Sequence, residues 1–344
     1  MRKFFYSNAL WLSMIVGVLG YRWLHIFSPL LPSMIFLMLF FTFCKIDPMD
    51  LRLHRWHWAV LAVQIVLSIG TYYVLMALTH NEIVAQGLMM CFIMPTATAA
   101  PIIAGKLGGS IQNLTTFTLL SNFATALIVP AFFPLINPEL SEVPATFQFS
   151  PFVYHFTLLI SRISPLLLGP FFSAWLLRIG YNTYWKSRDP ESRKTFSLPA
   201  SLAPMPFYIW VGTIVFLMAQ LTWSITVNYS SISLSSVIWL LIGSFLACLI
   251  QFFTGKFIGR RLPAPSRGKD YEDVLLNPNA PRDMPSVSSV TAGQAFGQKN
   301  TTLGVWMAQT YLNPISALGA AAYIIWQNIF NSAQLSRAAH GKPI

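Results

Sequence analysis

Charge is what this chain has least of. Acidic and basic residues together make up 10% of its 344 residues, against about 25% in a soluble domain. A water-soluble fold is thereby excluded for most of the chain. Carboxylates are scarcer still, 11 against 22 lysines and arginines. None lies deep in an apolar stretch, so no intramembrane acid–base pair exists and a membrane-embedded enzyme is disfavoured. The three cysteines, Cys44, Cys91 and Cys248, sit in or at the ends of apolar runs. Their spacing fits no metal motif, so they read as small apolar side chains and imply no disulfide framework. The six histidines are scattered; the pair His54 and His57, beside Arg52 and Arg55, reads as a solvated membrane edge. There is no Gly-rich phosphate loop, nucleophile elbow or metal-ligand helix. Neither an ATPase nor a metal or organic cofactor is implied.

Apolar residues are what the chain has in excess: 55% of the total, with a mean hydropathy of +0.57. Blocks long enough to cross a ~30 Å hydrocarbon layer, about 20 residues each, recur along it. Ten are read, at 8–27, 29–46, 55–79, 82–105, 110–136, 152–180, 203–224, 233–260, 286–311 and 314–335. The fold expected is an all-α polytopic membrane protein. The start, MRKFF before an apolar run, has the look of a signal peptide with a poor cleavage site, and is read as the first transmembrane helix. Trp23, Trp56, Trp58, Trp175, Trp185, Trp210 and Trp223 fall near span ends, as an interfacial belt requires.

The net charge of +11 is accounted for by topology rather than by nucleic acid. With the N-terminus in the cytoplasm, ten spans place every lysine and arginine in cytoplasmic segments except Arg22 outside and Arg162 and Lys299 within spans. This is the positive-inside pattern of a multi-pass protein of the cell (inner or plasma) membrane, with both termini cytoplasmic. The charged, Pro-containing loops 181–204 and 261–285 read as solvated connectors.

Divided after residue 145, each half holds five spans, and in each the fourth is broken. The first five-helix repeat, 1–145, has its broken helix at 82–105, interrupted by CFIMPTATAAPIIAGKLGG from Cys91 to Gly109. The second, 146–344, has its broken helix at 286–311, interrupted by AGQAFGQKNTTLG from Ala292 to Gly304. Five is odd, so the two repeats are inverted in the membrane. Interrupted segments at matching places in two inverted halves point to a transporter binding site. The backbone groups they free cannot face lipid.

With these residues in view, the chain resembles a bacterial branch of the bile acid:sodium symporter family over essentially all ten spans, most strongly over 91–136 and 286–335. The family's first broken helix carries a Pro-Gly-Gly-Thr-Ala-Ser-Asn-like run; Pro95, Thr96, Ala97, Thr98, Ala99, Ala100 and Pro101 stand in its place. Its second carries a Glu-x-Gly-x-Gln-Asn-like run; here stand Ala295, Phe296, Gly297, Gln298, Lys299 and Asn300. Its last helix often has an aromatic-polar-Asn stretch, matched by Trp326, Gln327 and Asn328. The resemblance implies that broken helices 4 and 9 cross. It implies a core domain of spans three to five and eight to ten, a panel domain of the other four, and alternating access for an organic anion between them.

The chain also departs from the family. Ala295 occupies the place of the glutamate that helps bind sodium. Lys299 replaces the glutamine four residues later, and the Ser-Asn sodium ligands of the first break align with Ala100 and Pro101. Sodium is therefore a doubtful partner at the second break. A sodium ion beside an ammonium would meet a repulsion of ~4 kcal/mol at 4 Å with an effective dielectric near 20. Span five keeps Gln112, Asn113, Thr115, Thr116, Thr118, Ser121 and Asn122.

Lys299 sits near the middle of span nine, too deep at ~1.5 Å per residue for its side chain to reach water through lipid. An intramembrane ionisable residue is a functional candidate by default. Its ammonium is expected to stand where the sodium ion would, bonding the backbone near Pro95–Thr98 and the side chains of Gln294, Gln298 and Asn300. Because a buried lysine readily loses its charge, it could carry a proton as the coupling ion; proton-coupled, sodium-independent and exchange modes all stay open. Arg162, with Pro165, Gly169 and Pro170 nearby, is read as a second buried cation that attracts an anion or caps a helix.

The candidate binding residues are thus Pro95, Thr96, Thr98, Thr115, Thr118, Asn122, Arg162, Gln294, Gln298, Lys299 and Asn300. The expected function is secondary transport of an organic anion, with the lipid bilayer as the other partner and a homo-oligomer left open. The alternative is an uncoupled channel-like or sensory protein on the same scaffold.

Overall fold

A computed structural model describes residues 2–136, 150–188, 196–202, 204–229, 232–265 and 283–340. Glu139, Glu142, Asp189, Glu191, Arg193, Lys194, Arg267, Lys269, Asp270, Glu272, Asp273, Arg282 and Lys342 lie outside the described residues. The described chain is helical, with no strand beyond one isolated bridge. In order the helices are α1 (Arg2–Leu19), α2 (Tyr21–Leu24), α3 (Leu31–Phe43), α4 (Arg55–Thr79), α5 (Glu82–Ile93), α6 (Ala100–Lys106), α7 (Ile111–Ile136), α8 (Pro151–Arg188), α9 (Met205–Val227), α10 (Leu234–Arg261), α11 (Met284–Gly297), α12 (Thr301–Tyr311) and α13 (Ala317–Ala339).

Six helical segments are long and apolar enough to cross a membrane: Tyr21–Phe43, Arg55–Thr79, Ile111–Ile136, Pro151–Arg188, Met205–Val227 and Leu234–Arg261. The protein is a multi-pass membrane protein. The blocks expected at 82–105 and 286–311 are each two short helices. Helix α13 carries Gln327, Asn331 and Gln334 on a buried stripe, so it is less apolar than the six.

The expected junction between blocks 8–27 and 29–46 lies elsewhere. Helix α1 ends at Leu19, and after Gly20 the chain runs through α2 and a 3-10 turn, His25–Leu30, directly into α3. The last three thus form one continuous apolar span. Helix α8 also outruns the block expected at 152–180: its 38 residues extend about 57 Å at 1.5 Å per residue.

The chain divides into two compact units. One comprises Met1–Met49 and Ala126–Val227. In it α3 packs on both α8 and α9. Arg178 on α8 pins the turn after α3, with a 3.0 Å ion pair to Asp47 and a bond to the Ile46 carbonyl at 2.9 Å.

The second unit comprises Asp50–Thr125 and Asn228–Ile344. Its tightest seam joins α10 to α11. A methyl group at Gly255 would collide with the Ala292 carbonyl, and one at Gly259 with the Ser288 carbonyl. Two glycines one turn apart let the helix backbones meet, the small-residue packing that lipid-embedded helices favour. Trp56, Phe117, Ala292, Ala295 and Phe296 share one buried cluster spanning α4, α7 and α11. Trp56 is fully buried there rather than part of an interfacial belt, whereas Trp23, Trp58 and Trp175 are exposed.

Candidate functional site

The site lies wholly in the second unit, where the breaks between α5 and α6 and between α11 and α12 meet. Helix α5 stops because Pro95 has no N–H to donate and its ring forces the preceding residue out of helical geometry; Met94 is extended, at φ −52° and ψ 137°. The second break contains no proline. Gln298 takes an extended conformation, and Asn300 starts α12 by accepting the Leu303 N–H at 3.2 Å.

The two breaks run antiparallel and pair. The Ala97 N–H donates to the Gln298 carbonyl at 2.9 Å, and the Asn300 N–H to the Pro95 carbonyl at 2.7 Å. Thr96 and Lys299 face each other in this bridge, both fully buried. Their side chains cross over. The Thr96 hydroxyl donates to the Ala295 carbonyl at 2.7 Å, and the Lys299 ammonium to the Phe92 carbonyl at 3.2 Å. Each acceptor lies one helical turn before the other bridge residue. Their backbone N–H groups are also matched: that of Thr96 donates to Ser121 Oγ on α7 at 3.0 Å, and that of Lys299 to Gln327 Oε1 on α13 at 2.9 Å.

Further carbonyls at the helix ends accept from isolated amides and hydroxyls. Gln251 on α10 donates to the Cys91 carbonyl at 3.1 Å, and Gln64 on α4 to the Met94 carbonyl at 3.2 Å. The Thr125 hydroxyl reaches the Ile93 carbonyl at 3.3 Å, and the Tyr323 hydroxyl the Gly297 carbonyl at 2.8 Å. Termini that would be orphaned in lipid are thus paired within the protein.

Lys299 is the one lysine, arginine, aspartate or glutamate that is buried among the described residues. Its ammonium lies at the carbonyl end of α5, where the aligned peptide dipoles favour a cation. It also sits 4.7 Å from the centre of the Phe296 ring, within cation–π range. The acceptor is a backbone carbonyl of the first break, a few residues before the expected Pro95–Thr98, and the expected side-chain partners are not used. Gln298 donates to Gln294, and Gln294 to Gln334, so the glutamines bind one another rather than the lysine. Pro95 contributes its carbonyl only.

The other expected residues divide. Asn122 donates to the Thr118 carbonyl at 2.7 Å, leaving Oδ1 buried without a partner. Gln64 Oε1, Gln251 Oε1 and Asn300 Nδ2 are in the same state. Buried polar atoms of this kind are where a ligand group or water binds. The Thr118 hydroxyl turns back onto the Leu114 carbonyl at 3.0 Å. Thr115 is buried and Thr98 half-buried, and neither belongs to the bond set of the crossing. Arg162 is exposed on α8 in the other unit, not a second buried cation; one face of that helix is open along its length.

Gln64, Gln251 and Tyr323 bond the breaks and are not among the residues the sequence assigns to the site. The available signal was a single glutamine in the middle of an otherwise apolar span, which is costly unless its amide has a partner. His57 is not part of a solvated edge. It is fully buried, accepts the His54 N–H at 2.8 Å through Nδ1, and donates through Nε2 to the Asn113 carbonyl at 2.9 Å. That hydrogen-bonding pattern sets the neutral tautomer. No group of three or more metal-ligating side chains occurs among the described residues.

Compared with known proteins, the chain matches no family model, and no curated protein matches it.

Proposed function

We propose that the protein is a secondary transporter of an organic anion, similar in plan to the bile acid:sodium symporter family, in which the Lys299 ammonium occupies the place of a coupling sodium ion. The ten spans would form two inverted five-helix repeats, with broken helices 4 and 9 crossing at the site. One observation carries the reading: the paired contacts at the crossing. Thr96 and Lys299 reach corresponding carbonyls of each other's helices, Ala295 and Phe92, and their N–H groups are taken from the expected fifth and tenth spans. An inverted repeat generates such pairs, whereas two unrelated helix kinks have no reason to.

Further support comes from the division of the chain. The unit formed by Asp50–Thr125 and Asn228–Ile344 gathers the segments expected of a core domain, and the other unit those of a panel. Alternating access would move one against the other. The anion class is supported by Lys299, the one lysine, arginine, aspartate or glutamate that is buried among the described residues. Sodium fits poorly at the second break: Ala295 offers no carboxylate, and the ammonium would repel the ion.

The test compares thermal stability of the purified protein in sodium and in potassium at equal ionic strength. A ligand that binds only the folded state stabilises by ~2.7 kcal/mol at a hundredfold excess over Kd. No sodium-specific gain is expected for the native chain, and Lys299→Gln should create one. A sodium gain in the native chain that survives Lys299→Gln would sink the substituted-ion reading. Saturable uptake and counterflow of a carboxylate or sulfonate in proteoliposomes tests transport itself.

A further inference from the structure

In the second unit, the seam between α10 and α13 ends in cations. Lys256 lies half-buried on α10 and Arg337 exposed on α13. Arg337 is near enough to act on Lys256 electrostatically, and two like charges there repel. The stem of Lys256 lies over Gly293 of α11, where a methyl group would come within 2.6 Å of it. Among the described residues neither cation has an ion-pair partner; the ion pair found there is that of Arg178 with Asp47, in the other unit.

Two further observations point to a ligand. The first is a chain of amides that ends on a free donor. Gln298 donates to Gln294, and Gln294 to the oxygen of Gln334 on α13. Gln334 is 5% exposed, yet its Nε2 has no hydrogen-bond partner. A buried N–H group left so is costly, and it calls for an acceptor. The register of α10 against α13 brings that donor level with Lys256. The two helices run in the same direction: Trp326 bonds the Leu241 carbonyl at 3.1 Å, and further along Phe330 meets Phe252 at 4.3 Å between ring centres. Lys256 and Gln334 each follow those rings by one turn. The second observation is the surface beside the cations. Phe253, Phe257 and Ile329 are exposed on these helices, so an apolar face runs up to the charged end.

We infer that the end of this seam binds an anionic phospholipid, with Lys256, Arg337 and the Gln334 amide around its phosphate and the acyl chains along Phe253, Phe257 and Ile329. Lys256, Arg337 and Gln334 Nε2 present only donors, and a guanidinium matches phosphate oxygens in pairs. Basic pockets between membrane helices on the cytoplasmic side suit such headgroups, and by the distribution of lysine and arginine this end would be the cytoplasmic one. A free anion would use the cations and leave the apolar face idle, which favours the lipid. This inference does not depend on the transport reading.

The experiment measures the melting temperature of the full chain in detergent, with phosphatidylglycerol, phosphatidylcholine and inorganic phosphate as probes at matched ionic strength. The expected result is a rise with phosphatidylglycerol alone. Arg337→Gln and Lys256→Gln should each weaken its apparent affinity about tenfold, as loss of a charge-assisted hydrogen bond does. Arg337 is exposed, so its replacement leaves packing intact. Gln334→Glu is the sharper variant. It keeps the oxygen that Gln294 uses and puts a carboxylate where the phosphate would bind, so the lipid response should vanish while the chain still folds. Arg55 is an exposed cation elsewhere in the unit, and Arg55→Gln should respond as the native chain does. The site is refuted if phosphatidylglycerol gives no rise, if phosphatidylcholine gives the same rise, or if Arg337→Gln and Gln334→Glu both respond as the native chain. An equal rise with inorganic phosphate overturns the lipid in favour of a free anion. An equal loss in Arg55→Gln overturns the site in favour of diffuse surface attraction.

Discussion

Thr96 and Lys299 are bridge partners whose side chains exchange places, the hydroxyl reaching the helix that ends before Lys299 and the ammonium the helix that ends before Thr96. One contact is made by a hydroxyl and the other by an amine. They are fully buried, so each tie closes a carbonyl that lipid could not satisfy.

Lys299→Met should be the more damaging of two replacements. It removes the donor to the Phe92 carbonyl and leaves that acceptor unpaired, a loss of ~1–3 kcal/mol. Lys299→Gln retains an amide and should lose less. Chemical or thermal unfolding in detergent reads the difference, and equal losses would show that the bond contributes nothing.

Thr96→Val preserves shape and removes the hydroxyl donated to Ala295. The expected loss is again ~1–3 kcal/mol, with Thr96→Ser recovering most of it. Since the Thr96 N–H is held by Ser121, Thr96→Val and Ser121→Ala should be non-additive by ~0.5–3 kcal/mol. A double-mutant cycle measures this; strict additivity would separate the two bonds.

Gly259→Ala tests the seam between α10 and α11. The new methyl meets a backbone carbonyl, that of Ser288, which cannot rotate away. Overpacking of this kind costs about 1–3 kcal/mol. Gly70→Ala is the control, because nothing surrounds a methyl there; in a helix interior alanine should be neutral or slightly stabilising. Melting temperatures that fall for both would locate the effect elsewhere.

Asp283 predicts a dependence on pH. It caps α11 by accepting the Ser286 N–H at 2.9 Å, and that bond holds its carboxyl below the ordinary aspartate value. The contribution is therefore present above the unfolded carboxylate range and fades as pH falls through the lowered folded value. Asp283→Asn keeps a capping oxygen and should flatten that part of the acid limb in a melting-temperature series. An unchanged acid limb would show that the cap does not titrate.

Local chemistry made the breaks legible in the sequence. Pro95 stops α5 where a proline must, and the cluster of glycines and polar residues before Thr301 marks the end of α11. A backbone acceptor for Lys299 near Pro95–Thr98 was legible, but the carbonyl it reaches, that of Phe92, lies just before that stretch, 207 positions from the lysine. Nearby glutamines looked like the natural partners, yet they are closer to one another. His57 failed for the same reason: arginines beside it suggested water, while a carbonyl 56 positions on fixed its burial. Composition marks a helix end well and a nonlocal acceptor poorly.

The acceptor for Lys299 also sets what genetics can find. The carbonyl of Phe92 belongs to the main chain, so no replacement of the Phe92 side chain deletes it. A screen for loss of this tie should recover changes at Lys299 itself, or changes that displace the end of α5, with few at position 92. Suppressors of a Lys299 defect should likewise gather where a new donor can reach that carbonyl. The inherited half of the contact is the lysine; the other half comes with the peptide bond.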